Sequence, residues 1–466
     1  MSREELIALV TAQATLIEEL QARVADLGRQ AGRNSQNSST PPSADGLAKP
    51  PPRSMRKRSG RRPGKQDGAA GSHLAQVAVP DERERHFPAR CGGCDRRLRR
   101  GDRTGEPVRR QVFDVPEMTV RVIEHELHVA RCRACGTVTR ADAPGWASAP
   151  AVYGPNVTAL AAYLSAQHHI PVARVAEILL DTCGIEVSTG WVATACERAG
   201  AAVADANAAI ADGIAAARVA HFDEGVTRVA GRNHWMHTAA TATLTAYHID
   251  EHGRGVEAIK AFGILPHFTG VAVHDAYAGY GAFTACTHAL CNAHAVRELA
   301  GIAEFDAACG DDWAEQMIDL LGDAYRWAGA WHREGHTQLP EFKADDLRRR
   351  WDQLTARALQ VHPPRPGKQT PARNLALRLR DRREEFLRFT TDFAVAFSNN
   401  IAEQAIRMVK VKTKVSGGFR TLHGAQTFLA IRGYISTVRK NGMRAAHSLR
   451  EALLGSPWMP PASAAT

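Results

Sequence analysis

Two Cys-x-x-Cys pairs, Cys91-Gly92-Gly93-Cys94 and Cys132-Arg133-Ala134-Cys135, constrain this chain more than any other local pattern. A two-residue gap lets both thiolates of a pair reach one tetrahedral ion, and two such knuckles complete a four-thiolate shell. The 37 residues between Cys94 and Cys132 contain alternating runs, Arg110–Val115 and Thr119–Ile123, that read as strands. Residues 80–150 are therefore expected to form a zinc ribbon, with structural Zn²⁺ supplying folding energy that so small a core lacks. Four thiolates leave no open coordination position, which argues against a catalytic zinc. In a chain of 466 residues this module is one domain among several.

Upstream, Leu6, Val10, Gln13, Ile17, Leu20, Val24 and Leu27 recur at alternating spacings of four and three. Residues 1–30 thus read as a coiled-coil segment and predict homo-oligomer formation, the alternative being an amphipathic helix packed on its own protein. Residues 31–79 are rich in Ser, Asn, Pro, Gly and Arg and cannot bury enough apolar surface to fold alone. They read as a disordered basic linker.

The net charge of +10 is concentrated in two blocks. Residues 49–65 hold eight Lys/Arg, including Arg56, Lys57, Arg58, Arg61 and Arg62, and residues 404–450 hold ten, including Arg407, Lys410 and Lys414. Neither block contains an acid, so the remainder of the chain carries −8. Such segregation points to a polyanion, here nucleic acid; a solvated tail and a surface helix are the alternative. No apolar run approaches the ~20 residues of a membrane span, and Met1-Ser2-Arg3-Glu4-Glu5 is no signal peptide. A cytoplasmic, nucleoid-associated protein is expected.

Beyond the Cys pairs the chain reads as multidomain α/β. Residues 151–214 look helical, with a break at Gly184 and Ser188 as a natural N-cap, a pattern that suits a DNA-binding helix-turn-helix or generic helical packing. Residues 215–284 carry candidate strands at 218–223, 234–240, 243–250 and 271–275 and a helical stretch near 255–264. Residues 285–397 look mainly helical, for example Asp311–Trp331 and Ala344–Leu359. Residues 398–450 open with Ser398-Asn399-Asn400 and a helix from 401, leaving 451–466 as a tail.

Three acids have contexts suited to phosphoryl transfer. Asp223 ends the run Ala220-His221-Phe222, Asp275 follows Val271-Ala272-Val273-His274, and Glu403 opens the late helix. Two strand-borne aspartates and a helix-borne glutamate could hold two Mg²⁺ ions, which bind carboxylate oxygens and need few protein ligands. Glu403 also suits a capping box with Asn400, and Asp250, Glu251 and Glu298 are alternative carboxylates. Behind Glu403, Arg407, Lys410 and Lys414 share a helix face, forming either a phosphate-binding ridge or a solvated stripe. Cys286-x-His288 and Cys291-x-x-His294 have metal-like residue types, although buried cysteine and satisfied histidine explain them too.

Taken in order, these motifs resemble the insertion-sequence 66 family of bacterial DDE transposases over nearly the full length. The resemblance rests on the zipper with Asn34-Ser35-x-Asn37-Ser38-Ser39, the two Cys pairs, Phe222-Asp223-Glu224 and His274-Asp275-x-Tyr277. It continues through Cys291-Asn292-Ala293-His294-x-x-Arg297-Glu298-Leu299, Ser398-Asn399-Asn400-x-Ala402-Glu403 and Lys412-x-Lys414-x-Ser416-Gly417-Gly418-Phe419-Arg420-Thr421. It implies an RNase H-like catalytic domain with a helical insertion, and Asp223, Asp275 and Glu403 as magnesium ligands; from residue type alone, His294 and the nearby Arg297 could serve as accessory residues that orient phosphate or water at the site. It also implies recognition of element ends and target DNA, with small accessory proteins as possible partners. Relatives usually read Asp-Glu-Thr where this chain has Gly225. The alternatives are a non-catalytic zinc-ribbon DNA-binding regulator and an RNase H-like nuclease or resolvase.

Overall fold

A computed structural model describes residues 2–32, 34, 37, 65, 68, 74–115, 117–147, 149–305 and 310–461. They fall into two compact units, Ser54–Arg121 and Met1–Arg53 with Val122–Thr466.

In the smaller unit the first Cys pair sits on a tight turn. The Cys91 N–H donates to Arg96 O (2.9 Å) and the Asp95 N–H to Cys91 O (3.0 Å). In the larger unit the second pair repeats this pattern between β1 (Val129–Arg131) and β2 (Val138–Arg140), which pair antiparallel. There the Cys132 N–H donates to Thr137 O (2.8 Å) and the Gly136 N–H to Cys132 O (2.9 Å). The residue after the second cysteine is left-handed both times, Asp95 at φ 57° and Gly136 at φ 77°. The strands expected at 110–115 and 119–123 do not form among the described residues. Alternation supplies a face but not a ladder partner, and Val112 and Val122 stay 90% and 86% exposed.

The larger unit opens with α1 (Arg3–Ala31), capped reciprocally by Ser2 and Glu5. Its heptad residues Leu6, Val10, Ile17, Leu20, Val24 and Leu27 are all exposed. Beyond its end, buried Asn37 donates through Nδ2 to Gly32 O (3.0 Å) and to Glu304 (3.2 Å). Four helices follow: α2 (Pro155–His168), α3 (Val172–Cys183), α4 (Thr189–Ala202) and α5 (Ala204–Ala215). α3 stops at Gly184 with φ 65°, and the Ser188 hydroxyl caps α4 by accepting from the Trp191 N–H (3.1 Å). α4 buries Val192, Ala195 and Ala199 within its own protein, packing on α2.

The central sheet has five strands: β3 (Val219–Val229), β4 (Arg232–Ala240), β5 (Thr245–Ile249), β6 (Val271–His274) and β7 (Thr287–Leu290). Their order is β5-β4-β3-β6-β7. The first three in sequence form an antiparallel meander, and β6 and β7 add in parallel beside β3. Ala230 and Gly231, both with positive φ, make the two-residue β3–β4 turn, whose twist matches the strands it joins. β7 falls where the sequence read as helical from 285; four residues are too few to show a period. α6 (Val256–Phe262) links β5 to β6.

After β7 come α7 (Asn292–Phe305), α8 (Trp313–Arg333), α9 (Glu341–Val361), α10 (Pro371–Asp381) and α11 (Arg383–Thr391). They share a core built on Trp313, Trp351 and Phe386 that also takes in Val273, Ala289 and Leu290 of the parallel strands. The chain then returns to the sheet. α12 (Asn400–Ser416) lies on β3 and β4, α13 (Leu422–Lys440) on β5 and α4, and α14 (Ala445–Leu453) on α2. Among the described residues no helix is long and apolar enough to cross a membrane.

Candidate active site

The sheet sets two of the predicted acids side by side. β3 and β6 pair in parallel with Val219 against Val271 and His221 against Val273. Continuing that register by two residues brings Asp223 level with Asp275, just past the end of β6. Asp223 does not end its strand as expected; it sits near the middle of β3, which pairs with β4 from His221 onward and sets Asp223 opposite Thr238.

Burial pushes the Asp223 carboxyl well above its ordinary range, and the charges of Glu224, Asp275 and Glu403 push it further. Asp275 is raised too, by burial and then by Glu224, while the Tyr277 N–H and the Arg254 cation pull it back. Asp275 and Glu403 thus both lie within electrostatic reach of Asp223. Anionic groups gathered in a partly desolvated place favour either protonation or a cation.

Glu403 arrives differently. α12 begins one residue earlier than expected, so Asn399, not Asn400, is its N-cap, and no side-chain cap bond forms. The capping box with Asn400 is therefore absent. Asn399 is fully buried and spans the site: its Nδ2 donates to Phe222 O (2.7 Å), its Oδ1 meets His221 Nδ1 (3.0 Å), and its N–H donates to Cys291 Sγ (3.2 Å). The Glu403 side chain instead lies beside His294 Nδ1 (3.7 Å), the Arg297 guanidinium (3.9 Å) and Cys291 Sγ (3.9 Å). Donor atoms of Cys291, His294 and Glu403 all fall within 4.8 Å of one another, a possible metal-coordinating cluster. Burial, aided by Arg297 and Arg378, drives His294 down to about 3, so its ring is neutral.

A second network escaped sequence reasoning. Glu224 follows Asp223 on β3, and its charge acts on both Asp223 and Asp275. Its side chain is 2% exposed and accepts from Tyr280 Oη (2.6 Å) and from Arg254 Nε (2.7 Å). Arg254 lies over the rings of Tyr277 (3.9 Å) and Trp235 (4.9 Å) and reaches within 4.0 Å of Asp275. A guanidinium fixed on three sides beside a carboxylate pair is a ready phosphate contact. The Asp-Glu dipeptide was visible in the sequence, but nothing there linked Glu224 to residue 254.

The remaining candidates divide. Arg407 and Lys414 on α12 are exposed and Lys410 is half-buried. Gly225, on the same strand face as Asp223, abuts this helix: a Cβ there would meet Ile406 Cγ2 at 3.0 Å and Lys410 Cε at 3.6 Å. Arg56, Lys57, Arg58, Arg61 and Arg62 lie outside the described residues. Of the alternative carboxylates, Asp250 is engaged by His248 (2.8 Å) and Glu298 by Arg378 (2.6 Å). Cys286 and His288 have ordinary partners: the thiol donates to Phe283 O (3.3 Å), and the ring bridges Phe283 O (3.0 Å) and His274 (2.8 Å).

The family model described as Transposase IS66 family matches residues 150–427, the stretch that holds the sheet, both networks and all three acids. The chain belongs to that family. The model described as zinc-finger binding domain of transposase IS66 matches residues 88–136, spanning both Cys pairs. A family of unknown function, DUF6444, matches residues 1–75. No curated protein matches the chain. Membership makes this a transposase-like α/β protein with a separate zinc-ribbon region and a possible metal-coordinating cluster, and carries a general expectation of DNA binding.

Proposed function

We propose that this chain is a DNA transposase of a bacterial insertion sequence that cleaves and joins DNA at the element's ends through a DDE site of Asp223, Asp275 and Glu403. The observation that carries this reading is the parallel pairing of β3 with β6 up to His221 and Val273, two residues short of each aspartate, with the Asp275 and Glu403 charges both acting on Asp223. A meander followed by two parallel strands on its inner edge supports an RNase H-like core. The helices from α8 to α11 are then an insertion between the second and third acids.

The donor set fits magnesium: three carboxylates offer hard oxygen ligands, and the raised Asp223 is an anionic centre short of a counter-charge. Two Mg²⁺ ions bound there would neutralise the scissile phosphate and lower the pKa of an attacking water or 3′-hydroxyl. The protein's own groups handle positioning. Arg254, clamped by Glu224, offers a cation for a phosphate oxygen beside Asp275. The Arg297 cation, 3.9 Å away, holds Glu403 by charge beside the neutral His294 ring. Arg407, Lys410 and Lys414 continue from Glu403 along α12 as a ridge for the DNA backbone. Hydrolysis at the element's end frees a 3′-hydroxyl, which then attacks target DNA at the same site.

The two knuckles fit structural zinc. Backbone N–H groups of Gly93 and Cys94 lower the Cys91 thiol, and Thr137 lowers Cys135, both favouring the thiolate that the metal takes. The exposed apolar stripe of α1 suits a second copy of this chain in a coiled coil. The α3–turn–α4 unit, the basic linker and the ribbon would together read the ends in the bacterial nucleoid.

Purified chain with Mg²⁺ and labelled element ends tests this directly. The wild type should cleave and join, while Asp275→Ala should bind ends and do neither. Full strand transfer by Asp275→Ala would overturn the assignment. Salt-dependent binding by the wild type with no Mg²⁺-dependent product would mark a regulator instead.

A further inference from the structure

We propose that Cys291, His294 and Glu403 form a binding site for a thiophilic divalent cation of the zinc class, and that its occupancy withdraws Glu403 from Asp223 and Asp275. The second half of this inference rests on the DDE reading above; the first half stands without it.

Geometry comes first. Cys291 directly follows β7, His294 lies in the first turn of α7, and Glu403 lies in the first turn of α12. His294 Nδ1 is 3.7 Å and Cys291 Sγ 3.9 Å from the same Glu403 oxygen. A tetrahedral ion with bonds of about 2.0–2.3 Å needs its donors roughly 3.3–3.8 Å apart. The two measured edges nearly meet that requirement with no backbone movement, and the third is no longer than 4.8 Å. One sulfur, one imidazole nitrogen and one carboxylate oxygen suit zinc or cobalt and not magnesium, which prefers oxygen throughout. A fourth position is left for water, as in open zinc sites.

Two further observations separate this cluster from ordinary packing. His294 Nδ1 is buried and has no hydrogen-bond partner, a costly state for a polar atom unless something binds it. Cys291 Sγ accepts the N–H of Asn399, which fixes the sulfur beside Glu403, and Asn399 is itself locked to β3. The neighbouring Cys286 and His288 provide an internal control. They are the same residue types at the start of β7, yet both ring nitrogens of His288 have partners, whereas His294 Nδ1 has none.

Binding would release the Cys291 thiol proton to solvent as the Sγ–metal bond forms. Glu403 would then be shared between a soft site on its α7 side and the hard-oxygen site on its β3 side. Arg297, 3.9 Å from the same oxygen, would have to yield its contact to the ion.

Cobalt(II) titration of the full chain, read by thiolate charge-transfer absorption, tests the binding. Cys91, Cys94, Cys132 and Cys135 will also take cobalt, so the measured quantity is the difference between wild type and variants. Cys291→Ala and His294→Ala should each lose one equivalent of bound metal while keeping the four-cysteine signal. Cys291→Ser, nearly isosteric, serves if the alanine variant does not fold. Stoichiometry and spectra identical to wild type in both the serine and the histidine variants would overturn the site. The second arm is Mg²⁺-dependent end cleavage under added Zn²⁺: the inhibitory concentration should rise at least tenfold in Cys291→Ser. Unchanged Zn²⁺ sensitivity would overturn the competition for Glu403. A wild type inert in Mg²⁺ alone would instead sink the DDE reading and, with it, the competition, while cobalt binding would still decide the site.

Discussion

The two sides of the site solve the problem of buried charge in opposite ways. On the sheet side Asp223, Glu224 and Asp275 crowd together, and one cation, Arg254, is held among them. On the helix side Glu403 stands alone with Arg297 at 3.9 Å and a neutral histidine at 3.7 Å. The sheet side is therefore overcharged and the helix side nearly balanced. A chain that only had to be stable would gain by replacing one aspartate, and the proposed magnesium site would account for the excess negative charge. Each prediction below presses on that contrast.

The largest effect is expected on activity. Asp223→Ala or Asp275→Ala should lower Mg²⁺-dependent cleavage at least ~10³-fold, since a metal ligand supplies several kcal/mol of transition-state stabilisation. Single-turnover assays on labelled ends would check this, and a loss below tenfold would break the assignment of the sheet side.

Next comes the anchor beneath Arg254. Glu224→Ala removes the buried carboxylate that anchors a partly exposed guanidinium and accepts from Tyr280 Oη. It should cost about 3 kcal/mol, or roughly 6–12 °C in melting temperature. Calorimetry showing under 2 °C would mean that Arg254 relaxes into solvent and that the clamp is not rigid.

The third prediction concerns pH. The Asp223 pKa is raised in the folded state, so its contribution favours folding at low pH and is lost as pH rises through the folded value. Removing the charge should therefore help only where the carboxyl would ionise. Without divalent cations, Asp223→Asn should melt higher than wild type at pH 8 and no higher at pH 4. Each unit of upward shift is worth about 1.4 kcal/mol. The same gain at both pH values would show that packing, not charge, explains it.

Smallest of all, Glu403→Gln should change stability by no more than about 1 kcal/mol at neutral pH, because an ion pair 3.9 Å apart with no hydrogen bond contributes little. A melting shift as large as that of Glu224→Ala would erase the contrast between the two sides.

Much of this layout was legible in the linear chain. The N-cap at Ser188, the break at Gly184 and the strands at 234–240 and 271–275 follow from local rules and appear where expected. The helices read at Asp311–Trp331 and Ala344–Leu359 are α8 and α9, slightly displaced. The errors came from non-local partners. The apolar alternation at 110–123 found no strand to pair with, whereas Thr287–Leu290, too short to signal anything, pairs with β6. Asn400 looked like the cap because Asn399 has a use that no local rule reveals, tying α12 to β3 and to Cys291.

By itself the sequence determined which chemistry was available: four paired thiols, three acids after apolar strands or at a helix start, and a basic stripe behind the last acid. Those are properties of residue type and short spacing, and short-range sterics and hydrogen bonding act on them directly. Only the tertiary structure decided which groups meet. Asp223 and Asp275 are 52 positions apart and become neighbours through one parallel strand pair, while Glu224 and Arg254 find each other across the sheet. Cys291 and His294 wait 109 or more positions for Glu403, because an entire helical layer must pack before α12 can return. Contacts at that range are fixed by the packing of whole elements, which no local pattern of residues encodes.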